Sequence, residues 1–122
     1  MTATKDASRV SIKLYVIQRA TAVLMVPLIA GHLVVIFYAT RHGLSAADIL
    51  GRTRGSIGWG LYYATFVIAA AAHAAIGMRS VFNEWGPAAL AYHPRRLDTV
   101  MWVVGVGLAL LGLRAIYAVV AP

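Results

Sequence analysis

The chain has 122 residues, of which 61% are hydrophobic and 12% charged, with a formal net charge of +7 and no cysteine. A soluble domain has about a quarter of its residues charged, so this composition is typical of an integral membrane protein. The lack of cysteine excludes disulfides, thiolate metal sites and thiol nucleophiles within the chain. Because the basic residues flank apolar stretches instead of forming a soluble patch, we expect no binding of nucleic acid.

Three apolar stretches cover most of the chain, at about residues 14–39, 57–78 and 99–120. Each has ~20 residues or more, enough for a helix to cross a hydrocarbon core of ~30 Å. Helices are the expected spans of so short a chain, because backbone groups in lipid must form their hydrogen bonds within the segment. The sequence therefore predicts an all-α membrane protein, a single domain over residues 1–122 whose three transmembrane helices form an up-down-up bundle.

The first apolar stretch is interrupted by Gln18, Arg19 and His32. An ionisable side chain within a membrane is costly, which makes His32 a candidate functional residue, and a neutral imidazole is a common axial ligand of haem iron. Steps of ~100° per residue place Gln18 and Thr21 near the face of His32. Arg19 points away from that face, and Tyr15 lies one turn before it. We therefore expect this helix to present two polar stripes to two different neighbours.

The first connection, at residues 40–56, contains a helix start signal. Ser45 is a residue type that caps helix N-termini, and it predicts a short interfacial helix. Gly51 and Gly55, with arginines between them, are expected to break that helix.

The second apolar stretch contains His73, with Gly77 one turn later and alanines around it. Small residues let helices approach closely in lipid and leave room beside an imidazole for a flat macrocycle. By helix rise, His32 lies ~20 Å beyond Arg19, whereas His73 lies ~9 Å before Arg79. The two histidines are therefore expected ~10 Å apart in depth and cannot easily share one iron. Either each faces a partner histidine on another chain, or only one of them is a ligand.

The second connection, at about residues 82–98, contains Pro87 and His93 and is predicted to be a solvated loop. The Lys and Arg residues divide between the two sides of the predicted bundle, with Lys5, Arg9, Lys13, Arg19, Arg79, Arg95 and Arg96 on the N-terminal side and Arg41, Arg52, Arg54 and Arg114 on the other. Basic residues concentrate on the cytoplasmic side of membrane proteins, so the N-terminus is expected in the cytoplasm.

Two motifs in these stretches resemble a known family. The segment from His73 through Gly77 and Arg79 to Glu84 is similar to the H-x-x-x-G-x-R…D signature of the cytochrome b membrane-anchor subunit (the C-type subunit) of succinate dehydrogenase. The related quinol:fumarate reductases share this architecture. Residues 18–22 resemble the H-R-x-S/T-G motif of the same family, with glutamine and alanine where histidine and glycine are usual.

The resemblance covers nearly the whole chain and implies a haem b-binding anchor of succinate:quinone oxidoreductase in the bacterial cytoplasmic (inner) membrane. Succinate would be oxidised on a flavoprotein subunit, and electrons would pass through an iron–sulfur subunit to ubiquinone or menaquinone. This chain would contribute electron transfer and no bond-making chemistry. A second hydrophobic anchor subunit is the expected partner, because a six-coordinate bis-histidine haem needs two histidines and this chain offers one at each depth.

The resemblance also implies roles for the residues around haem. His73 would be an axial ligand of the haem b nearer the cytoplasm, with Gly77 beside it. His32 would ligate a second haem nearer the outside, and the face carrying Gln18 and Thr21 would line that outer haem pocket.

The candidates for quinone contact come from the same resemblance. Arg19 would bind haem propionates or the quinone headgroup, and Tyr15 occupies the place where some members have a quinone-binding serine. Arg79 and Glu84 would lie near the cytoplasmic quinone site, against the iron–sulfur subunit.

Two other functions remain open: a haem-free structural anchor of a fumarate reductase-type complex, and a small multi-span transporter subunit. A transporter more often has helices broken near a midplane site, and the three apolar stretches contain one internal proline, Pro27. A lone intramembrane imidazole would then only hydrogen-bond to a neighbouring helix.

Overall fold

The structure, a computed structural model, describes the backbone of residues 2–87 and 94–122 and the side chains of residues 11–87 and 95–122. These described residues contain helices and no strand. In chain order the helices are α1 (Thr2–Arg41), α2 (Ala46–Thr53), α3 (Ile57–Trp85) and α4 (Pro94–Val120).

Among the described residues, three helices are long and apolar enough to cross a membrane: Ser11–Arg41 within α1, the whole of α3, and Arg95–Val120 within α4. Their most apolar windows have mean hydropathies of 2.3, 1.5 and 2.2. The predicted all-α class and the three spans are thereby confirmed. Only 6%, 11% and 0% of these windows are buried within the chain, so most of the apolar surface is left for lipid or for other subunits.

The second connection is shorter than predicted, because both flanking helices continue past their apolar stretches. α3 runs on to Trp85, and Gly86 at its C-terminus donates a hydrogen bond to the carbonyl of Phe82. Pro87 follows, and proline cannot donate the next helical hydrogen bond. α4 begins at Pro94, where proline's missing N–H is not needed. The predicted loop at 82–98 was therefore wrong at both ends, and His93 lies outside the described residues.

The predicted short helix in the first connection is confirmed as α2. The Ser45 hydroxyl accepts a hydrogen bond from the Asp48 N–H at 3.2 Å, and the Ser45 N–H donates to the Asp48 carboxylate at 2.9 Å. This capping box closes the helix N-terminus. The hydrogen bonds from the Ser45 side chain and backbone lower the pKa of Asp48 below its ordinary value. α2 continues through Gly51 and the chain turns at Gly55, which has a φ of 68°.

α3 is the central helix, because it packs against both α1 and α4. Its contact with α4 depends on glycine. A Cβ added at Gly105 would lie 3.0 Å from the Cβ of Ala75, and one added at Gly112 would lie 2.4 Å from a methyl of Val67. Two glycines on α4 therefore let the two backbones approach closely, as small residues do between helices in lipid.

Candidate functional site

His73 on α3 contacts two polar residues of α1. The Thr21 hydroxyl lies 3.2 Å from Nδ1 of the imidazole, and the side-chain nitrogen of Gln18 lies 3.4 Å from Nε2. All three side chains are half-buried. The structure thus brings together three residues that the sequence marked as candidates.

The hydrogen bonds of Thr21 favour one tautomer of His73. The threonine hydroxyl donates to a backbone carbonyl of its own helix, that of Ile17 at 2.8 Å or of Gln18 at 3.1 Å. A hydroxyl whose proton is already used can only accept, so Nδ1 of His73 is assigned the ring proton. Nε2 then carries the lone pair, which is the electron pair that an imidazole gives to a metal.

Gly77, one turn beyond His73, makes the space in which Gln18 lies. A Cβ at Gly77 would come within 3.1 Å of the Gln18 side-chain nitrogen. The Gln18 side-chain oxygen Oε1 is buried and has no hydrogen-bond partner among the described residues. An unpaired buried amide oxygen costs free energy, so this pocket contains an acceptor that no described residue uses.

The sequence predicts that Gln18 and Thr21 line a pocket at His32, but the structure places them against His73. The face of α1 was predicted correctly, since all three residues point toward α3. The position along the helix was predicted wrongly, because Thr21 is eleven residues before His32, or about 16 Å along α1. Because α1 and α3 run in opposite directions, the early part of α1 meets the late part of α3.

His32 lies against aromatic residues of α3. Its ring packs edge-on against Tyr63 and Phe66, with centroid distances of 5.7 and 5.8 Å. Its Nδ1 is buried without a hydrogen-bond partner among the described residues. Phe66 precedes His73 by seven residues, or about 10 Å. The two imidazoles therefore lie at different levels of the α1–α3 interface, in agreement with the predicted offset.

Arg19 and Tyr15 form a separate pair on the exposed side of α1. The guanidinium lies 5.3 Å from the centroid of the Tyr15 ring, a cation–π contact. Both side chains are exposed. As predicted, this stripe points away from the face of α1 that carries Gln18, Thr21 and His32 and meets α3. It is therefore available to another subunit or to a ligand at the membrane surface.

Arg79 has an acidic partner that the sequence did not predict. Its Nε donates to the Asp98 carboxylate at 2.5 Å, and the two side chains are 27% and 44% exposed. The pair joins the end of α3 to the start of α4. Glu84, which the motif groups with Arg79, is exposed near the end of α3. Asp98 was missed because it was assigned to a loop; its only sequence signal is an acidic residue directly before an apolar stretch.

Comparison with protein families identifies the chain's relatives. The family model described as "Succinate dehydrogenase/Fumarate reductase transmembrane subunit" matches residues 5–117. Together with the three apolar helices, this match establishes a multi-pass membrane protein and confirms the predicted family. No curated protein and no solved structure matches the chain.

Proposed function

The chain belongs to the family of transmembrane subunits of succinate dehydrogenase and fumarate reductase, an oxidoreductase complex, and we propose that it binds haem b through His73 and passes electrons to membrane quinone. The observation that supports this most is the set of contacts around the imidazole. Nδ1 is held by Thr21, and Nε2 faces only a long contact with Gln18.

The residues around His73 fit a haem. The imidazole is a known haem ligand, and Gly77, one turn beyond it, has no Cβ to fill the space beside the Gln18 side chain. Gln18 is held only by its long contact and can move aside from Nε2. Thr21 would act on the ligand indirectly, because a hydrogen bond from the second ring nitrogen fixes the ring orientation and raises the basicity of the first. When bound, haem would supply a one-electron carrier at this depth.

A partner subunit is needed to cover the apolar helices and to supply a second axial histidine. Since at most 11% of any spanning window is buried, the helices leave a large apolar surface to cover. We propose that a second hydrophobic anchor subunit packs at the α1–α3 interface and gives the second axial histidine. The iron–sulfur and flavoprotein subunits would dock on the cytoplasmic side of a bacterial inner membrane, where the N-terminus lies according to the distribution of basic residues.

The two candidate arginines, Arg19 and Arg79, differ in whether a carboxylate already pairs with them. Asp98 already pairs with Arg79, whereas Arg19 contacts only the Tyr15 ring among the described residues. A cation beside a propionate or a reduced quinone oxygen stabilises developing negative charge. We therefore assign that role to Arg19, and place Arg79 and Glu84 at the edge that meets the soluble subunits.

The proposal also includes a second haem, ligated by His32. Its support is the buried Nδ1, which has no partner among the described residues although burying an unpaired imidazole nitrogen is costly. Two haems per complex, falling to one in His32→Ala, are expected. One haem in the wild type, unaffected by this substitution, would leave His32 as a packing residue beside Tyr63 and Phe66.

One observation favours a haem-free anchor as the second candidate. Both ring nitrogens of His73 lie within hydrogen-bonding distance of α1 side chains, so the imidazole can be satisfied within its own chain. In that case the purified complex would reduce quinone and show no haem absorption.

The test is a reduced-minus-oxidised absorption spectrum of the complex purified through a tag on this chain. His73→Ala should remove the bands of the inner haem while the subunits still co-purify. His42→Ala is the matched control, because His42 is an exposed imidazole at the end of α1. Unchanged bands in an intact His73→Ala complex would reject the assignment.

A further inference from the structure

The first connection carries more positive charge than its topology requires. Arg41, Arg52 and Arg54 lie in it, all exposed, and Asp48 is its one acidic residue. That carboxylate is already engaged by Ser45. On the side opposite the N-terminus, the positive-inside rule gives no reason for three arginines. This charge is therefore available to bind an anionic group.

The connection is fixed to the C-terminal end of α4. The Gly55 N–H donates to the carbonyl of Val120 at 2.8 Å, and the buried Thr53 hydroxyl lies 3.1 Å from the carbonyl of Val119. These contacts satisfy carbonyls that a helix end leaves without an intrahelical partner. Because Thr53 and Gly55 are both anchored, the backbone of Arg54 between them is held at the end of α4.

An apolar groove of about 430 Å³ opens beside this anchored turn; we call it the α4 groove. It is lined by Gly55, Ser56, Ile57, Leu113, Ile116, Tyr117, Val120, Ala121 and Pro122. Leu113 is followed three, four and seven positions later by Ile116, Tyr117 and Val120, a spacing that places all four on one face of α4. Arg114 follows Leu113 and lies one turn before Tyr117, at the rim of that face.

We propose that the α4 groove binds an anionic phospholipid, with an acyl chain on the apolar face and the phosphate at Arg54 and Arg114. Arg114 lies six residues before Val120, about 9 Å along the helix, and arginine covers much of that distance by snorkelling toward the membrane surface. Snorkelling would bring the Arg114 guanidinium toward the level of Arg54. Two cations above an open apolar face complement a negatively charged headgroup above a hydrocarbon chain.

The position of the groove keeps it open to lipid. α3 separates α4 from the α1–α3 interface that contains both histidines. A partner subunit can therefore cover the histidines without covering the α4 groove, so we expect lipid binding there to be independent of haem.

The experiment measures lipid selectivity of the complex, purified through an N-terminal tag so that Pro122 stays unmodified. Nanodiscs of phosphatidylcholine alone are compared with nanodiscs that also contain phosphatidylglycerol, by thermal unfolding and by analysis of retained lipid. Arg54→Gln and Arg114→Gln should each weaken the preference for the anionic lipid about five-fold. Leu113→Trp should reduce retained lipid by filling the groove, with both arginines intact. Arg96→Gln, an exposed arginine on the opposite side, is the control.

Three outcomes would overturn the proposal. The first is an unchanged lipid preference in the Arg54→Gln/Arg114→Gln double variant. The second is equal stabilisation by inorganic phosphate in detergent, since that would indicate a site for a free anion. The third uses the absence of native cysteine: Tyr117→Cys that cross-links efficiently to another subunit would mean that protein, not lipid, covers the groove.

Discussion

The two faces of α3 are built in different ways. Toward α4, glycine and alanine remove side-chain bulk, and the Arg79–Asp98 pair closes the end of the contact. Toward α1, the interface contains two imidazoles, and buried polar atoms on Gln18 and His32 have no partner among the described residues. The α3–α4 interface is complete within this chain, whereas the α1–α3 interface has unused hydrogen-bonding capacity.

This difference separates a structural interface from a binding interface in one helix. Close packing of small residues stabilises helix pairs in lipid without polar groups. A chain under selection for stability alone gains nothing from orphaned polar atoms on the other face, because each costs free energy. The unused polar atoms therefore favour a ligand at the α1–α3 interface, whereas the α3–α4 interface is expected to contribute stability alone.

The largest stability effect is expected at Gly112. In Gly112→Ala the new Cβ would meet the methyls of Val67 at 2.4 and 3.0 Å, so the helices must separate. Overpacking of this kind costs about 1–3 kcal/mol, which should lower the thermal midpoint of the complex clearly. Gly107→Ala is the matched control on the same helix, since its Cβ would meet nothing within 4 Å and alanine favours helix by up to about 1 kcal/mol.

A second variant shows whether the clash is the cause. Adding Val67→Ala to Gly112→Ala removes the methyls that the new Cβ would touch. Recovery of part of the lost stability is expected. If Gly112→Ala and Gly107→Ala behave alike, the close approach of α3 and α4 at this level is not important to the fold.

The three spans and the polar face of α1 could be predicted from the sequence, whereas the packing of α3 against α4 could not. Apolar length predicted three spans, and the 3.6-residue period placed Gln18, Thr21 and His32 on one face of α1, which does meet α3. The period gives the direction of a side chain around its helix but not the level at which an antiparallel neighbour crosses. For that reason Thr21 was assigned to His32, although it contacts His73.

The ion pair between Arg79 and Asp98 could not be predicted for a different physical reason. Hydropathy marks the part of a helix that lies in hydrocarbon. The backbone hydrogen bonds of the helix do not stop at that boundary and can continue into the aqueous phase. α3 therefore extends to Trp85 and α4 begins at Pro94, which brings Arg79 and Asp98 onto facing helices. No local pattern in the sequence relates two residues that lie 19 positions apart on different helices.

The next prediction concerns the binding interface. Thr21→Val keeps the shape of the side chain but removes the acceptor for the Nδ1 proton of His73. Loss of such an outer partner typically weakens metal binding at least ten-fold, so the retained haem should fall at limiting haem supply and its reduction potential should shift. Haem content per complex and a potentiometric titration measure the two effects.

Thr40→Val is the control for Thr21→Val. Thr40 is on the same helix and makes the same hydrogen bonds to the backbone one turn earlier, to Ile36 and Phe37, without an imidazole beside it. It should leave haem content unchanged. Equal losses in the two variants would mean that the effect comes from the helix backbone and not from His73.

The smallest effect is expected at the ion pair. Asp98→Asn removes the ion pair with the partly exposed guanidinium of Arg79. Ion pairs of this exposure contribute about 0.2–1 kcal/mol to the free energy of unfolding. The thermal midpoint should fall slightly, and Arg79→Gln should have a similar effect.

The charge exchange Arg79→Asp/Asp98→Arg distinguishes a clamp from a ligand-binding arginine. If Arg79 serves mainly to join α3 to α4, the exchange restores the stability lost in either single variant, and quinone reduction returns with it. Should Arg79 also contact quinone, stability would return while the KM for quinone stayed high, because the cation would now be on α4. Arg19→Gln, measured in parallel, is expected to raise that KM in either case, since Arg19 has no carboxylate partner among the described residues. Restored activity in the exchange variant together with an unaffected Arg19→Gln would contradict the assignment of the anion-binding role to Arg19.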